Sequence, residues 1–253
     1  MVEEVVSEVL GQRAAPVRFE WGPTGAASVS EPDGCLVVVD VLSFTTAVSV
    51  ATGRGVAVYP YPLGARGADT FAAAHGAELA VRRREATPER PWSLSPAALD
   101  RAPVVPGLVL PSPNGSAIAA AATGTIVAGC LRNASAVAAW ALEHGYGGVG
   151  RPIAVVAAGE RWPDGSLRPA VEDALGAGAV LSRLRAAGLS LSAEAEVAAT
   201  ALERAPDVIA AIWGCGSALE LMGLGFHDDV HLALEPDVDD HVPVLQDEAF
   251  RAQ

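Results

Sequence analysis

Asp40 closes the apolar run 36–39, where a carboxylate is costly unless it meets a cation or hydrogen-bond donors. It reads either as a metal ligand or nucleophile, or as the cap of the helix that follows. Thr45 and Thr46 stand at that helix start, able to offer hydroxyls and free backbone N–H groups to an anion. Ser112, Asn114, Gly115 and Ser116 form a second turn of small residues, which suits either a phosphate cradle or an ordinary proline turn. Arg132 and Asn133 supply a guanidinium fork beside another helix start, fit for an acidic group in bidentate fashion or for plain solvation. Glu160 and the pair Glu172, Asp173 are the remaining notable acids. The pair opens an Ala/Gly-rich helix whose dipole favours negative charge without any function. A hard divalent cation, however, needs oxygen ligands, and Asp40, Glu172 and Asp173 are the acids best placed to converge on one.

Other chemistries are excluded by residue type and spacing. All 17 basic residues are arginine, so Schiff-base and Walker-type lysine chemistry is absent. No His-Glu-x-x-His pattern occurs, and although His227 and His231 are four apart, the intervening 228–230 reads as loop and strand, which does not suit zinc. Six positions after Cys35, Cys130 and Cys215 stand Val41, Ala136 and Leu221, which removes the cysteine phosphatases. Leu42, two positions after Asp40, removes the two-aspartate haloacid-dehalogenase type. No Gly-x-Gly-x-x-Gly follows a strand.

Positioning these side chains falls to a repeated rhythm of β-branched run, polar cluster and Ala-rich stretch. It occurs at 36–51, 108–122, 125–141 and 153–186. Strand, loop and helix in repetition predict an α/β fold of mostly parallel β/α units, with helices on both faces and polar loops at the carboxyl ends of strands. The chain has 253 residues, 51% hydrophobic and only 5% aromatic, so the core must be built from small side chains and closely approaching backbones. One domain is expected, with five prolines in 85–106 marking a long loop or the border between two lobes. Further on, the pattern predicts a helix over 190–204, another from Ser217, a strand near 230–234, and an acidic tail, 235–253, lying over the surface.

Net charge is −13, and the cluster Arg82, Arg83, Arg84 is too short to make a basic stripe, so neither nucleic acid nor a membrane is an expected partner. The acidic start lacks the features of a signal peptide and the longest apolar stretch is too short to span a bilayer, which predicts a cytoplasmic protein. The three cysteines, odd in number and in apolar contexts, suit buried free thiols. Ala- and Gly-rich surfaces permit a homodimer without demanding one.

Taken in order, residues 17–22, 37–42 with Thr45 and Thr46, 112–116, 132–134, Glu172 and Asp173 with Gly178, and Gly216, Ser217, Gly225, Asp228 and Asp229 resemble the 2-phosphosulfolactate phosphatase family of coenzyme M biosynthesis. The resemblance implies a Mg2+-dependent phosphatase that converts a small phosphorylated hydroxy acid, 2-phosphosulfolactate, to sulfolactate and phosphate. It implies Asp40 as the central carboxylate, Glu172 and Asp173 as metal-site acids, the 45–46 and 112–116 turns on phosphate oxygens, and Arg132 and Asn133 on an acidic substrate group. Two departures stand out: Ser43 replaces an arginine common in similar proteins, and 92–96 matches a Gly-Asn-Ser-Pro loop only loosely. A phosphatase for another phosphorylated hydroxy acid and a catalytically silent anion-binding homologue are the alternatives.

Overall fold

The computed structural model describes residues 8–253. The acidic opening residues 1–6, on which the expectation of no signal peptide rests, lie outside the described residues. Strand β1 (Val17–Trp21) leads through α1 (Gly22–Val29) to β2 (Cys35–Val39), α2 (Phe44–Gly53), β3 (Ala57–Pro62), α3 (Ala68–His75) and β4 (Glu78–Leu79). A short 3-10 turn (Arg83–Glu85) and α4 (Pro96–Arg101) precede β5 (Gly107–Ser112), α5 (Gly115–Ala121), β6 (Thr125–Gly129), a second 3-10 turn (Leu131–Asn133) and α6 (Ala134–Glu143). Then come β7 (Ile153–Ala157), the hairpin of β8 (Glu160–Arg161) and β9 (Leu167–Arg168), and α7 (Val171–Ala186). The chain ends with α8 (Ala193–Arg204), α9 (Val208–Trp213), α10 (Gly216–Gly223), α11 (His227–Ala233), β10 (Pro243–Gln246) and β11 (Ala249–Ala252).

The main sheet runs β1-β7-β2-β6-β10-β11-β3-β5-β4. Parallel pairing joins β1, β7, β2 and β6 into one set and β3, β5 and β4 into another. The hairpin of β10 and β11 connects the two sets, pairing antiparallel with β6 through Val244 and Val127 and with β3 through Phe250 and Val58. This is an α/β fold of mostly parallel units.

Strand β2 shows why the sheet is covered twice. Its side chains alternate between faces, so Cys35, Val37 and Val39 join one apolar cluster with Val137, Leu181 and Leu184 of α6 and α7. Leu36 and Val38 join the other, with Ala26, Val48 and Ile118 of α1, α2 and α5. Small residues let these layers close up: a Cβ on Gly176 of α7 would stand 2.6 Å from Val41, and one on Gly178 would stand 2.5 Å from the Ala198 carbonyl of α8. Helix starts follow local rules as well, since Ser95, Ser192 and Asp207 each accept a backbone N–H three residues on. Among the described residues no helix is long and apolar enough to cross a membrane.

Two local expectations are corrected. Residues 230–233 are not a strand but belong to α11, with Leu234 at its C-cap, and the first turn of α11 holds Asp228 and Asp229, where the helix dipole favours acids. The tail does not lie over the surface, because β10 and β11 sit in the middle of the sheet with Val244 3% and Phe250 0% exposed. Its acids make the turn, Asp247 and Glu248 having φ of 48° and 66°, while its apolar residues are too few to show a period. The proline-rich stretch 85–106 contains α4, which packs against α2 and α11.

Candidate active site

Loops from the carboxyl ends of β2, β5 and β7 meet at four carboxylates. Asp40 follows β2 directly, is 6% exposed, and accepts the Phe44 N–H on Oδ1 (3.1 Å) and the Gly115 N–H on Oδ2 (3.0 Å). One of these donors opens α2 and the other opens α5, so the carboxylate joins two helix starts. Asp173, in the first turn of α7, accepts Val41 N–H on Oδ1 and Gly159 N–H on Oδ2, both at 2.8 Å. It thereby ties the loop after β2 to the loop after β7. Glu172 beside it is 2% exposed and accepts the Cys215 thiol on Oε2 at 3.2 Å. Glu160 enters from the β8 hairpin, its Oε2 accepting the Asn114 side-chain amide at 3.2 Å.

Crowding buried acids shifts their titration upward. Burial pushes Asp40 up to about 6, against the pull of its two backbone donors, with the Glu172 charge adding to the rise and Arg83 opposing it. Glu160 is pushed up to about 7, first by burial and then by the charges of Asp40 and Glu172, while Asn114 and Arg168 draw it down. Asp173 is raised well above the ordinary range by burial and by the same two neighbours. The thiol of Cys215 is pushed up to about 11, mainly by burial. Burial is the largest cause at each of these groups, and the charges of neighbouring acids add to it.

Arg83 and Arg168 are the cations within reach, and the sequence reading named neither as a site residue. Arg83 donates from Nη2 to the Ser43 hydroxyl (2.7 Å) and from Nε to Asp229 Oδ2 (3.1 Å), and its guanidinium lies 5.7 Å from the Phe226 ring centre. Asp229, 1% exposed, also accepts from the Ser95 hydroxyl and, at 3.1 Å, from the Ala97 N–H. Arg168, on β9, donates to the Ser217 hydroxyl at 3.3 Å. The signal available for Arg83 was the triple arginine at 82–84, but its partners lie 40 and 146 residues away.

The other expected binding residues do different work. Thr45 and Thr46 are fully buried and donate their hydroxyls to the Asp40 carbonyl (2.9 Å) and the Val41 carbonyl (2.8 Å), fixing the loop rather than facing an anion. Ser116 donates to the Ser112 carbonyl (2.6 Å), and the Ser112 hydroxyl accepts the Asn114 N–H (3.3 Å), so both shape the turn that presents Asn114 and Gly115. Arg132 and Asn133, expected on a substrate group, are engaged within the protein. Arg132 forks onto Asp239 (3.0 and 3.1 Å), pairs with Glu235 and donates to the Leu232 carbonyl (2.9 Å). Asn133 is fully buried between the Cys130 N–H and the Ala128 carbonyl. The acidic tail has taken the fork that the sequence seemed to leave for a ligand.

The donor set is all carboxylate, which matches a hard divalent cation such as magnesium. Among the described residues no three His, Cys, Asp or Glu side chains form a ready cage for an ion. Magnesium does not need one, since it keeps several waters and takes one or two carboxylates together with phosphate oxygens. Among the described residues Glu172 Oε1 has no hydrogen-bond donor, and every fully buried side-chain N or O atom is satisfied. That oxygen therefore opens on accessible space, and with Asp40 it fits a one- or two-carboxylate site. Asp173, like Asp40, accepts one backbone donor on each oxygen, and through these contacts it also holds the site's loops.

No match is found among curated proteins. A family model described as 2-phosphosulpholactate phosphatase matches residues 24–248, a span that includes every carboxylate, both arginines and both connecting loops of this site. The chain belongs to the 2-phosphosulpholactate phosphatase family.

Proposed function

We propose that this phosphatase hydrolyses a small phosphorylated hydroxy acid with the help of magnesium, 2-phosphosulfolactate being the first substrate to test. The observation that carries the reading is the cluster of buried Asp40, Glu172 and Asp173 with half-buried Glu160 beside Arg83, in which Asp40, Glu160 and Asp173 titrate above their ordinary range. Asp40 and Glu172 would hold the cation, which when bound supplies charge neutralisation to phosphoryl oxygens and so lowers the barrier to displacement.

The protein's own groups divide the remaining work. Arg83, keeping Nη1 clear of the contacts that fix its other nitrogens, offers a positive charge to the entering dianion. Local attraction of this kind is needed in a protein of net charge −13. Glu160, near 7, is partly protonated at neutral pH, and the Asn114 amide on Oε2 leaves Oε1 to carry the proton. As the bond from phosphorus to the alcohol oxygen breaks, that proton passes to the alcohol while the oxygen of water joins phosphorus; one proton of the water stays on the phosphate formed and the other returns to Glu160. Asp173 keeps the Asp40 and Gly159 loops in register through its two backbone contacts.

Phosphate release from 2-phosphosulfolactate, 2-phospholactate and 2-phosphoglycolate with and without magnesium tests the reading. Release that requires the metal and prefers the sulfonate supports it. Equal release in chelator rejects the metal, and release from none of these esters rejects the activity.

A stability measurement probes the cluster without any substrate. Asp40 and Glu160 titrate at about 6 and about 7 in the fold, against 3.8 and 4.5 as ordinary values, so the folded protein holds more protons than the unfolded chain in between. Their contribution is full below the unfolded values and is lost as pH rises through 6 to 7. Between pH 8 and 5.5 this amounts to about 2 to 3 kcal/mol, a rise of several degrees in thermal midpoint on acidification. Magnesium should raise the midpoint at pH 8 more than at pH 5.5, because protons and cation compete for the same oxygens. A midpoint that falls between pH 8 and 5.5, or an equal magnesium effect at both, contradicts the cluster's role.

A further inference from the structure

Arg168 stands apart from the other arginines with covered side chains because it holds no acid. Among the described residues Arg18, Arg83, Arg132, Arg183 and Arg185 are buried or half-buried, and each pairs with a carboxylate. Arg54, also half-buried, ends on the Leu99 carbonyl. Arg168 is half-buried too, yet its guanidinium donates only to the Ser217 hydroxyl, from Nη2, which leaves Nη1 and Nε without an acceptor among the described residues. Acids outnumber basic residues 30 to 17 in the chain, so this charge is not unpaired for want of acids.

Two separate elements fix where it stands. On the hairpin of β8 and β9, Arg168 lies directly opposite Glu160. Opposed residues of an antiparallel pair point to the same face, with Cβ atoms about 5 Å apart. Ser217, the acceptor of Arg168, is buried and follows Cys215 by two residues, and the Cys215 thiol in turn holds Glu172. The guanidinium is therefore held beside two of the four acids without an ion pair to either. Its charge draws Glu160 down while that of Arg83 draws Asp40 down, so the two cations act on different members of the cluster. The ring centre of the exposed Trp162, 5.7 Å from the guanidinium, restrains it from the solvent side.

We propose that Arg168 binds the carboxylate that a 2-phospho hydroxy acid carries on the same carbon as its ester oxygen, and that it thereby selects such acids over simple phosphate monoesters. The proposal rests on the phosphatase reading of the four acids and names the second anchor of the substrate. Glu160 gives its proton to the ester oxygen, so its cross-strand neighbour meets what is attached to the same carbon. In the protonated form that donates, Glu160 carries no charge, and Arg168 is left as the charge on that face of the hairpin. Its unused N–H groups suit a carboxylate, which a guanidinium binds with charge and direction together. Arg168 thus supplies the anion site that Arg132, held by Asp239, does not.

2-Phospholactate and isopropyl phosphate differ only in that a methyl group of the second replaces the carboxylate of the first. Their ratio of kcat/KM with magnesium present reads the contact. The wild-type protein should favour 2-phospholactate by at least tenfold. Arg168→Met, which keeps the bulk of the stem, and Arg168→Gln, which keeps a donor for the Ser217 hydroxyl, should each reduce that ratio at least fivefold, mainly through KM for 2-phospholactate. A change in the titration of Glu160 or in the placement of the hairpin affects both esters alike, so an Arg168 that only supports the structure leaves the ratio as in wild type. A wild-type ratio below tenfold, or a smaller fall in the folded variants, overturns the proposal and leaves the phosphatase reading standing. Should wild-type protein release phosphate from neither ester nor from 2-phosphosulfolactate, the activity reading falls, and calorimetric binding of 2-phospholactate decides the subsite alone. Binding that weakens at least tenfold in Arg168→Gln sustains it, and a smaller change, or no binding to the wild-type protein, ends it.

Discussion

Replacing Asp40 by asparagine is expected to lower kcat for magnesium-dependent phosphate release by about 10³, equivalent to about 4 kcal/mol of lost transition-state stabilisation. The amide keeps the shape of the carboxylate but removes its charge, and with it one of the two groups placed to hold the cation. It also turns one oxygen into an NH2 that must face the N–H of Phe44 or Gly115, both now donating to Asp40. That mismatch costs about 1 to 3 kcal/mol. Removing one of several crowded buried negative charges offsets part of it, so the variant should remain folded, which its thermal midpoint would establish. Glu172→Gln should lose activity with a smaller change in midpoint, since Glu172 accepts a thiol rather than two loop amides. If Asp40→Asn keeps more than a tenth of the wild-type rate, Asp40 is not at the reaction centre.

Gly115→Ala is the second large effect, and it acts through packing. A Cβ at this position would stand 2.2 Å from Cδ1 and 2.8 Å from Cγ of Phe44, and 3.0 Å from Asp40 Oδ2. Phe44 is fully buried and packs edge-on against Phe250, with ring centres 6.2 Å apart, so it has little room to withdraw. Overpacking of this kind costs about 1 to 3 kcal/mol, or several degrees in thermal midpoint. The lesser strain is to push the α5 start away from Asp40, which lengthens the Gly115 contact and misplaces the carboxylate. A loss of at least tenfold in kcat/KM should accompany the drop in midpoint. Gly148→Ala, whose added Cβ meets nothing within 4 Å, provides the matched control. Wild-type stability and rate in Gly115→Ala would show that the turn is looser than its contacts imply.

Part of this site was readable before any coordinates. Asp40, Glu160, Glu172 and Asp173 stood out because each is an acid in an apolar or Ala/Gly-rich setting, where burial demands a reason. The turn at 112–116 was legible for the same cause, small residues between a strand pattern and a helix pattern. What each polar group faces was not legible. Thr45, Thr46, Ser112 and Ser116 have the types that bind phosphate, yet their hydroxyls close on backbone groups within five residues. Local bonds of this kind compete directly with a ligand, and a list of residue types does not say which wins.

By itself, the sequence determined the class of fold and singled out the acids of the centre, because continuous β-branched runs, Ala-rich stretches and acids set among apolar residues are local properties of the chain. Tertiary structure alone decided which arginines serve that centre. Arg132 was claimed by Asp239, 107 residues on, whereas Arg83 was delivered to Ser43 across 40 residues and anchored by Asp229 across 146. It also decided that an acidic tail contributes two strands to the middle of the sheet, bringing Phe250 against Phe44. Charge pairing and strand pairing at such separations depend on where the whole chain has carried its ends, and no local pattern records that.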